Sequence, residues 1–259
     1  MAISLDSLTS PTSRPIIATI VGEGGIGKTS LASCFAGPTI YIRTEDGTQS
    51  LAGRDDVALF EMAYTSQDVL DALNELGAKE HPFQTVVIDS ITQLDTIIEN
   101  EVVDSDPKAK SIIQAKGGYG AGFKEVARIH GQIRDLAGHL SVVKGMNIIF
   151  IAHADNESID LPDQDPYTRY TIRMHRHSVK HYSDNVDLVA FIKLQTYTKG
   201  SGEKKKAITD GSRIITCYPT PNHISKNRFG ITEDLVFKKD SNPFAQFIPA
   251  LNDTAAKAA

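Results

Sequence analysis

A glycine-rich segment near the start of the chain constrains the fold more than any other feature. Residues 22–29, G-E-G-G-I-G-K-T, match the pattern G-x-x-x-x-G-K-[ST] at every position. An apolar run at 16–21 precedes the segment, and a helix is predicted at 28–35, ending before Gly37-Pro38. A strand, a glycine loop and a helix in this order predict a phosphate-binding loop within an α/β sheet.

The chemistry of phosphate binding explains the residue types in this segment. Glycines let backbone N–H groups turn inward around an anion, and the N-terminus of the following helix adds partial positive charge. Lys28 is predicted to reach the β- and γ-phosphates of a nucleotide, and Thr29 is predicted to bring its hydroxyl to Mg²⁺. The residues predicted to bind the nucleotide are Gly22, Gly24, Gly25, Ile26, Gly27, Lys28, Thr29 and Ser30.

Apolar periodicity along the chain predicts the remaining elements. Further strands are predicted at 39–43, 57–62, 85–89, 147–152, 186–194 and 212–218. Helices are predicted at 67–76 and 123–143, and a hairpin tip at 204–206. Because strands that alternate with helices form parallel sheets, the predicted fold is α/β, with a mainly parallel twisted sheet flanked by helices. The C-terminal third is predicted to add antiparallel hairpin strands.

Length and composition fit one folded domain. The chain has 259 residues, of which 41% are hydrophobic and 23% charged, which excludes a fibrous or wholly disordered protein. We predict a flexible arm at 1–14, one nucleotide-binding domain at 15–250 and a disordered tail at 251–259. No apolar run approaches the roughly 20 residues that cross a bilayer, and the N-terminus lacks a signal-peptide pattern. We therefore expect a cytoplasmic protein with no membrane partner.

Polar residues follow the predicted strands at places where a hydrolysis site can form. Asp89 ends the strand that precedes it, and a carboxylate there can complete the coordination of Mg²⁺. The residue after Asp89 is Ser90 and not a glutamate, so the general base must come from elsewhere in the chain. Glu45 has the better position, and Asp46 is the alternative. His153 follows another buried strand, where it can hydrogen-bond to the γ-phosphate or be an ordinary histidine at the sheet edge; the residues alone favour neither.

These residues together resemble the RecA-like ATPase core. V-V-I-D-S-I-T-Q-L at 86–94 is similar to the Walker B strand of RecA-type recombinases, and T-E-D at 44–46 lies where that family carries its catalytic Glu. The strand before His153 resembles the sensor strand, which usually ends in Gln or another polar residue and lies between the other two strands. Residues 178–194 resemble the helix and strand after the second DNA-binding loop. The resemblance implies ATP and Mg²⁺ as cofactors, and catalytic roles for Glu45, Lys28 and His153.

A second resemblance concerns the segment K-N-R-F-G at 226–230. It is similar to the K-x-R-x-G of DnaB-type helicases, in which the Lys and Arg reach into the ATP site of the neighbouring subunit. The resemblance implies that Lys226 and Arg228 are catalytic in trans, because cations there neutralise charge that develops on the phosphoryl oxygens. The alternative is a solvated basic turn, which is common.

Two segments lie where the RecA-like family places its DNA-binding loops. The net charge of −5 provides no overall basic field, so any DNA contact must come from local patches such as these. The segment 104–122 contains glycines beside an aromatic ring, whereas 154–177 is acidic in its first half and basic and aromatic in its second. Cations bind phosphates and rings stack on bases, so the predicted DNA contacts are Lys116, Tyr119, Arg169, Tyr170, Arg173 and Arg176. On composition alone both segments also fit ordinary exposed loops.

The resemblance covers about residues 15–235. The chain is most similar to phage-encoded RecA-like single-strand annealing ATPases. It implies a DNA-stimulated ATPase that binds single-stranded DNA and self-associates into a filament or ring. Such a protein promotes strand annealing or exchange, in the host cytoplasm if it is phage-encoded. Two alternatives stay open: a hexameric DnaB-like helicase motor, and an ATP-gated interaction protein without DNA binding.

Overall fold

A computed structural model describes residues 10, 12–199, 206–238, 241–248 and 251. Its strands are β1 (Ile17–Gly22), β2 (Thr39–Arg43), β3 (Val57–Met62), β4 (Thr85–Asp89), β5 (Asn147–Ile159), β6 (Tyr167–Ile172), β7 (Leu188–Lys199), β8 (Lys206–Thr216), β9 (Lys226–Asn227) and β10 (Leu235–Phe237). Its α-helices are α1 (Lys28–Ala32), α2 (Ser66–Ala78), α3 (Ile91–Asp104), α4 (Ala121–Val143) and α5 (Arg176–Ser183).

The strand order brings the motif-bearing strands side by side. Parallel pairing gives the order β3-β2-β4-β5-β1-β7, so β5 lies between β1 and β4. Strand β8 pairs antiparallel with β7, and β10 pairs antiparallel with β8. The predicted fold class is confirmed: a mainly parallel sheet flanked by helices, with antiparallel strands on the C-terminal side, as in P-loop NTPases.

Both faces of the central sheet are covered, which is why its strands read as continuous apolar runs. Side chains alternate between the two faces along β5. Ile148 and Phe150 belong to a core shared with α2, α3 and α4, whereas Ile149 and Ile151 belong to a second core shared with α1 and Phe244. This burial fixes the register of β5. The register in turn sets where the residue that follows the apolar part of the strand lies relative to the sheet edge.

A buried polar network joins three helices on one side of the sheet. Within it, the His130 ring of α4 lies 2.9 Å from Asp95 Oδ1 of α3 and 2.8 Å from the Tyr182 hydroxyl of α5. His130 and Tyr182 are fully buried. Because buried polar groups without partners are costly, this network fixes α5 against α3 and α4.

Several predicted boundaries agree with the structure, but α1 is shorter than expected. Strands β2, β3 and β4 have the predicted bounds, and α4 begins two residues before its predicted start. The helix predicted at 28–35 ends at Ala32, because the Ser33 hydroxyl and the Cys34 thiol both donate to the Ser30 carbonyl, at 2.9 and 3.2 Å. Such local side-chain bonds compete with the helical pattern and end it early.

Helix α3 was not predicted, and β5, which was expected to end at residue 152, continues to Ile159. Its outer half pairs antiparallel with β6, so most of the segment predicted as a DNA-binding loop at 154–177 is a β-hairpin. Glu157 lies opposite Arg169, and the two form an ion pair of 2.6 Å. The acidic half of the segment therefore faces the basic half, a cross-strand match that hydrophobic periodicity does not reveal.

The C-terminal strands are also displaced from their predicted bounds. Strands β7 and β8 were expected at 186–194 and 212–218, but they form a longer antiparallel ribbon because their polar outer parts pair with each other. Most of the predicted hairpin tip at 204–206 lies outside the described residues, as do most of the predicted arm and all but residue 251 of the predicted tail. Within the described ranges, every helix is too short or too polar to span a membrane.

Candidate nucleotide-binding site

The predicted phosphate-binding loop borders a cavity of about 430 Å³ at the carboxyl ends of the parallel strands. Strand β1 ends at Gly22 and α1 begins at Lys28, so residues 23–27 form the turn between them. Gly27 has φ +103°, in the left-handed region that favours glycine. The backbone therefore turns sharply at the start of α1, where N–H groups can bind an anion.

Lys28 is a buried cation at the centre of this cavity. Its side chain donates to the carbonyl oxygens of Gly22 and Glu23, at 3.0 and 2.8 Å, and lies 3.5 Å from Nδ1 of His153. Burial lowers the pKa of Lys28 to about 8, although Asp89 and Glu45 act in the opposite direction. A buried ammonium group without a directly bonded carboxylate gains strongly from an added anion, which fits phosphate binding.

Thr29 and Asp89 form an oxygen-rich corner that fits Mg²⁺. The Thr29 hydroxyl donates to Asp89 Oδ2 at 2.8 Å, and desolvation raises the pKa of this carboxyl to about 6. Gly47 keeps the corner open, because a Cβ there would lie 3.5 Å from Thr29 Oγ1 and 3.6 Å from Asp89 Oδ2. A divalent cation would compensate the buried carboxylate, and a hydroxyl with a carboxylate is a donor set that Mg²⁺ prefers. No sequence pattern had indicated a role for Gly47.

Glu45 and His153 form a hydrogen-bonded pair beside Lys28. Nε2 of His153 lies 2.9 Å from Glu45 Oε1, and the backbone N–H of His153 donates to Thr92 Oγ1. The hydrogen bond from His153 lowers the pKa of Glu45, so this carboxylate is ionised at neutral pH. An ionised carboxylate held by an imidazole is suited to accept a proton from water. The alternative base, Asp46, also lines the cavity.

A comparison with known families gives the same class of protein. A family model described as an AAA domain matches residues 14–229, which is well over half of the chain. The chain belongs to this AAA domain family. No curated protein matches it. The matched span includes the loop at 22–29 and the residues Glu45, Asp89 and His153, so the domain is of the nucleotide-binding ATPase type. The narrower likeness to RecA-like annealing ATPases stays a prediction.

Arg213 of β8 also lines the cavity of the AAA domain, although it was not predicted from the sequence. A Cβ at Gly27 would lie 3.0 Å from Arg213 Nη1 and 3.4 Å from Cε1 of Phe237, on β10. Among the described residues, the Arg213 guanidinium makes no ion pair or hydrogen bond. No motif surrounds Arg213 in the sequence, and only the pairing of β8 with β7, next to β1, brings it to the loop.

We expect Arg213→Ala to weaken Mg-ATP binding about 10- to 100-fold, because a charge-assisted hydrogen bond contributes about 1.5–3 kcal/mol. Isothermal titration calorimetry on the variant and the original chain measures this change. Arg213→Lys should recover part of the loss, since it keeps the charge. Arg128→Ala, which removes an arginine of α4 outside the cavity, is the matched control. Equal affinities for the Arg213→Ala variant and the original chain would exclude Arg213 from the site.

Lys226 and Arg228 do not lie in the cavity of their own AAA domain. Lys226 donates to the Asp184 carbonyl at 2.6 Å, and Arg228 donates to Asp187 at 3.0 Å. Asp187 also accepts from the N–H of Ile17, the first residue of β1, whereas the cavity lies beyond the last residue of β1. The structure thus separates the two cations from the site that their own chain forms. Their role in a neighbour's site stays a prediction.

The residues predicted to contact DNA lie on two adjacent segments. Tyr119 is fully exposed in the connection between α3 and α4, where Lys116 donates to the Ser105 hydroxyl. The Phe123 ring of α4 stacks on the ring of His175 at 4.0 Å, which brings this connection next to the start of α5. The remaining predicted contacts lie on β6, after it, or at the start of α5: Arg169, Tyr170, Arg173 and Arg176.

Proposed function

We propose that this AAA domain hydrolyses Mg-ATP and, in its ATP-bound state, holds single-stranded DNA. Neighbouring copies would assemble so that each site borders the next chain, and the assembly would promote strand annealing or exchange. One observation carries the proposal: the strand that contains His153 continues directly into the hairpin that we propose contacts DNA. One continuous strand thus joins the nucleotide site to the hairpin that carries Arg169 and Tyr170.

The cavity provides the groups that ATP hydrolysis requires. The oxygen of a water molecule attacks the γ-phosphorus while Glu45 accepts its proton; the bond to the β,γ-bridging oxygen breaks, giving ADP and phosphate. Lys28 would stabilise the negative charge on the phosphoryl oxygens. When bound at Thr29 and Asp89, Mg²⁺ would neutralise further phosphate charge. His153 orients Glu45 through the bond of 2.9 Å.

Arg173 supports a coupling between the nucleotide and the DNA surface. Its backbone N–H donates to the His153 carbonyl at 2.9 Å, and its guanidinium donates to the Ala154 carbonyl. Its charge also lies close enough to Lys28 to lower the pKa of that lysine. Because Arg173 joins the base of the hairpin to the strand end at His153, a change at the γ-phosphate is transmitted to the hairpin.

The position of Lys226 and Arg228 supports the assembly. Arg228 is held by Asp187 at the sheet end away from its own cavity, yet its side chain is 53% exposed and open to another protomer. A copy whose cavity faces this edge would receive both cations beside its phosphates.

The proposal is tested by fluorescence anisotropy of a labelled oligothymidylate with a non-hydrolysable ATP analogue. We expect binding that requires the analogue and weakens with salt, because each phosphate contact adds about 0.7 to the logarithmic slope. Tyr119→Ala should weaken binding about 5- to 100-fold, the contribution of one stacked base. Tyr64→Ala is the matched control, since Tyr64 is also exposed but lies between β3 and α2.

Three outcomes of this experiment would contradict the proposal. Binding that is absent, or unaffected by the analogue, would favour an ATP-gated interaction protein. Equal losses for Tyr119→Ala and Tyr64→Ala would remove Tyr119 from the DNA surface. Directional unwinding of a forked duplex by the same preparation would identify a helicase instead of an annealing protein. Electron microscopy of the same mixtures shows directly whether filaments or rings form.

A further inference from the structure

A second cavity, of about 460 Å³, lies between α4 and α5 and is separate from the nucleotide site. Its lining is basic: Lys124 and Arg128 on α4, and His177, Lys180 and His181 on α5. None of these residues is among the predicted nucleotide contacts or the six predicted DNA contacts, although His177 ends the predicted DNA-binding segment at 154–177. We refer to the space between these five side chains as the α4–α5 cleft.

Helical spacing explains how these five basic side chains come together. Lys124, Arg128 and Gly131 are spaced four and three residues apart, so they share one face of α4. His177, Lys180 and His181 likewise share one face of α5. Gly131 allows the two helices to approach, since a Cβ there would lie only 3.2 Å from the His181 ring. The Asp95, His130 and Tyr182 network fixes α5 in this position.

The cleft has more positive charge than the protein neutralises. Its lining contains no acidic side chain. Arg128 is bound by Glu125 through bonds of 2.8 and 2.9 Å, whereas Lys124 and Lys180 form no ion pair with any described residue. In a chain of net charge −5, acidic residues are available for pairing, so this concentration of unpaired cations favours an anionic ligand.

The cleft continues the surface proposed to hold DNA. Tyr119 lies two residues before the start of α4, Arg176 is the first residue of α5, and the Phe123 and His175 rings stack where the two helices begin. We propose that the α4–α5 cleft binds the phosphodiester backbone of the same single strand, beyond the nucleotides at Tyr119 and Arg176. This inference rests on the proposed function and adds a binding site to it.

The test uses the double variant Lys124→Gln/Lys180→Gln in the full chain, with the non-hydrolysable ATP analogue and labelled oligothymidylate. Removing two phosphate contacts should lower the logarithmic salt slope by about 1.4 and weaken binding at least tenfold near physiological salt. Lys124→Arg/Lys180→Arg should bind like the original chain, because it keeps both charges. Lys79→Gln/Lys144→Gln also removes two lysine charges, but near the C-terminal ends of α2 and α4 and away from the cleft, and should leave the slope unchanged.

A thermal unfolding midpoint close to that of the original chain shows that the Gln variant is folded. An unchanged salt slope in this variant, with normal binding by the original chain, would show that the α4–α5 cleft does not bind the DNA strand, and it would leave the proposed function intact. No binding by the original chain would overturn both. Displacement of the oligonucleotide by inorganic phosphate, but not by chloride of equal ionic strength, would assign the cleft to free phosphate and overturn the nucleic-acid assignment.

Discussion

Glu45→Gln is expected to leave Mg-ATP bound while lowering turnover about 10²- to 10⁴-fold, the usual contribution of a general base. The substitution keeps the shape and removes the charge that accepts the proton of the attacking water. Glu45 is suited to this role because the hydrogen bond from His153 lowers its pKa and keeps it ionised. Single-turnover kinetics with radiolabelled ATP measure the hydrolysis step, and calorimetry measures binding.

Asp46→Asn is the matched control for this prediction, because Asp46 lines the same cavity and is the alternative base. It should retain most of the turnover. A larger loss in Asp46→Asn than in Glu45→Gln would transfer the role of the base to Asp46. A loss of ATP binding in Glu45→Gln would instead show that Glu45 acts in binding, since a residue that acts only in hydrolysis changes turnover without changing affinity.

Lys28→Ala is expected to weaken Mg-ATP binding by about 10²-fold or more, because it removes the buried cation predicted to reach the β- and γ-phosphates. The fold itself should tolerate the change. Burial lowers the pKa of Lys28 to about 8, so the charged form is disfavoured in the nucleotide-free protein and little stability is lost with it. Thermal unfolding with and without Mg-ATP separates the two effects.

The original chain should be stabilised by Mg-ATP, whereas Lys28→Ala should have a similar midpoint without nucleotide and show no shift with it. Lys79→Ala, which removes an exposed lysine paired with Glu75 on α2, is the control and should shift like the original chain. Equal nucleotide-induced shifts in Lys28→Ala and Lys79→Ala would show that the loop at 22–29 is not the triphosphate site.

The elements that were predicted correctly from the sequence have local causes. The loop at 22–29 is specified by glycines and by its place between a strand and a helix. Strands β2, β3 and β4 were predicted to the residue because their side chains are apolar over their whole length or alternate between apolar and polar. Glu45, Asp89 and His153 were identified because each lies at or shortly after the end of an apolar run.

The elements that were predicted wrongly depend on partners that are distant in sequence or on polar pairing. Strand β5 was expected to end at 152, since its outer half is polar and is stabilised by its pairing with β6, including the ion pair of Glu157 with Arg169. Helix α1 was expected to be longer, because side-chain bonds to the Ser30 carbonyl compete with the helix in a way that periodicity does not show.

The phosphate-binding loop, the α/β class and the polar residues that follow the apolar runs could be predicted from the sequence, because glycine conformation and apolar periodicity act over a few neighbouring residues. Three contacts become visible only in the folded chain: His153 bonds to Glu45, 108 residues away, Arg213 lies beside Gly27, and α4 and α5 enclose a basic cleft. These contacts follow from strand order and helix packing, which bring together residues that no local pattern connects.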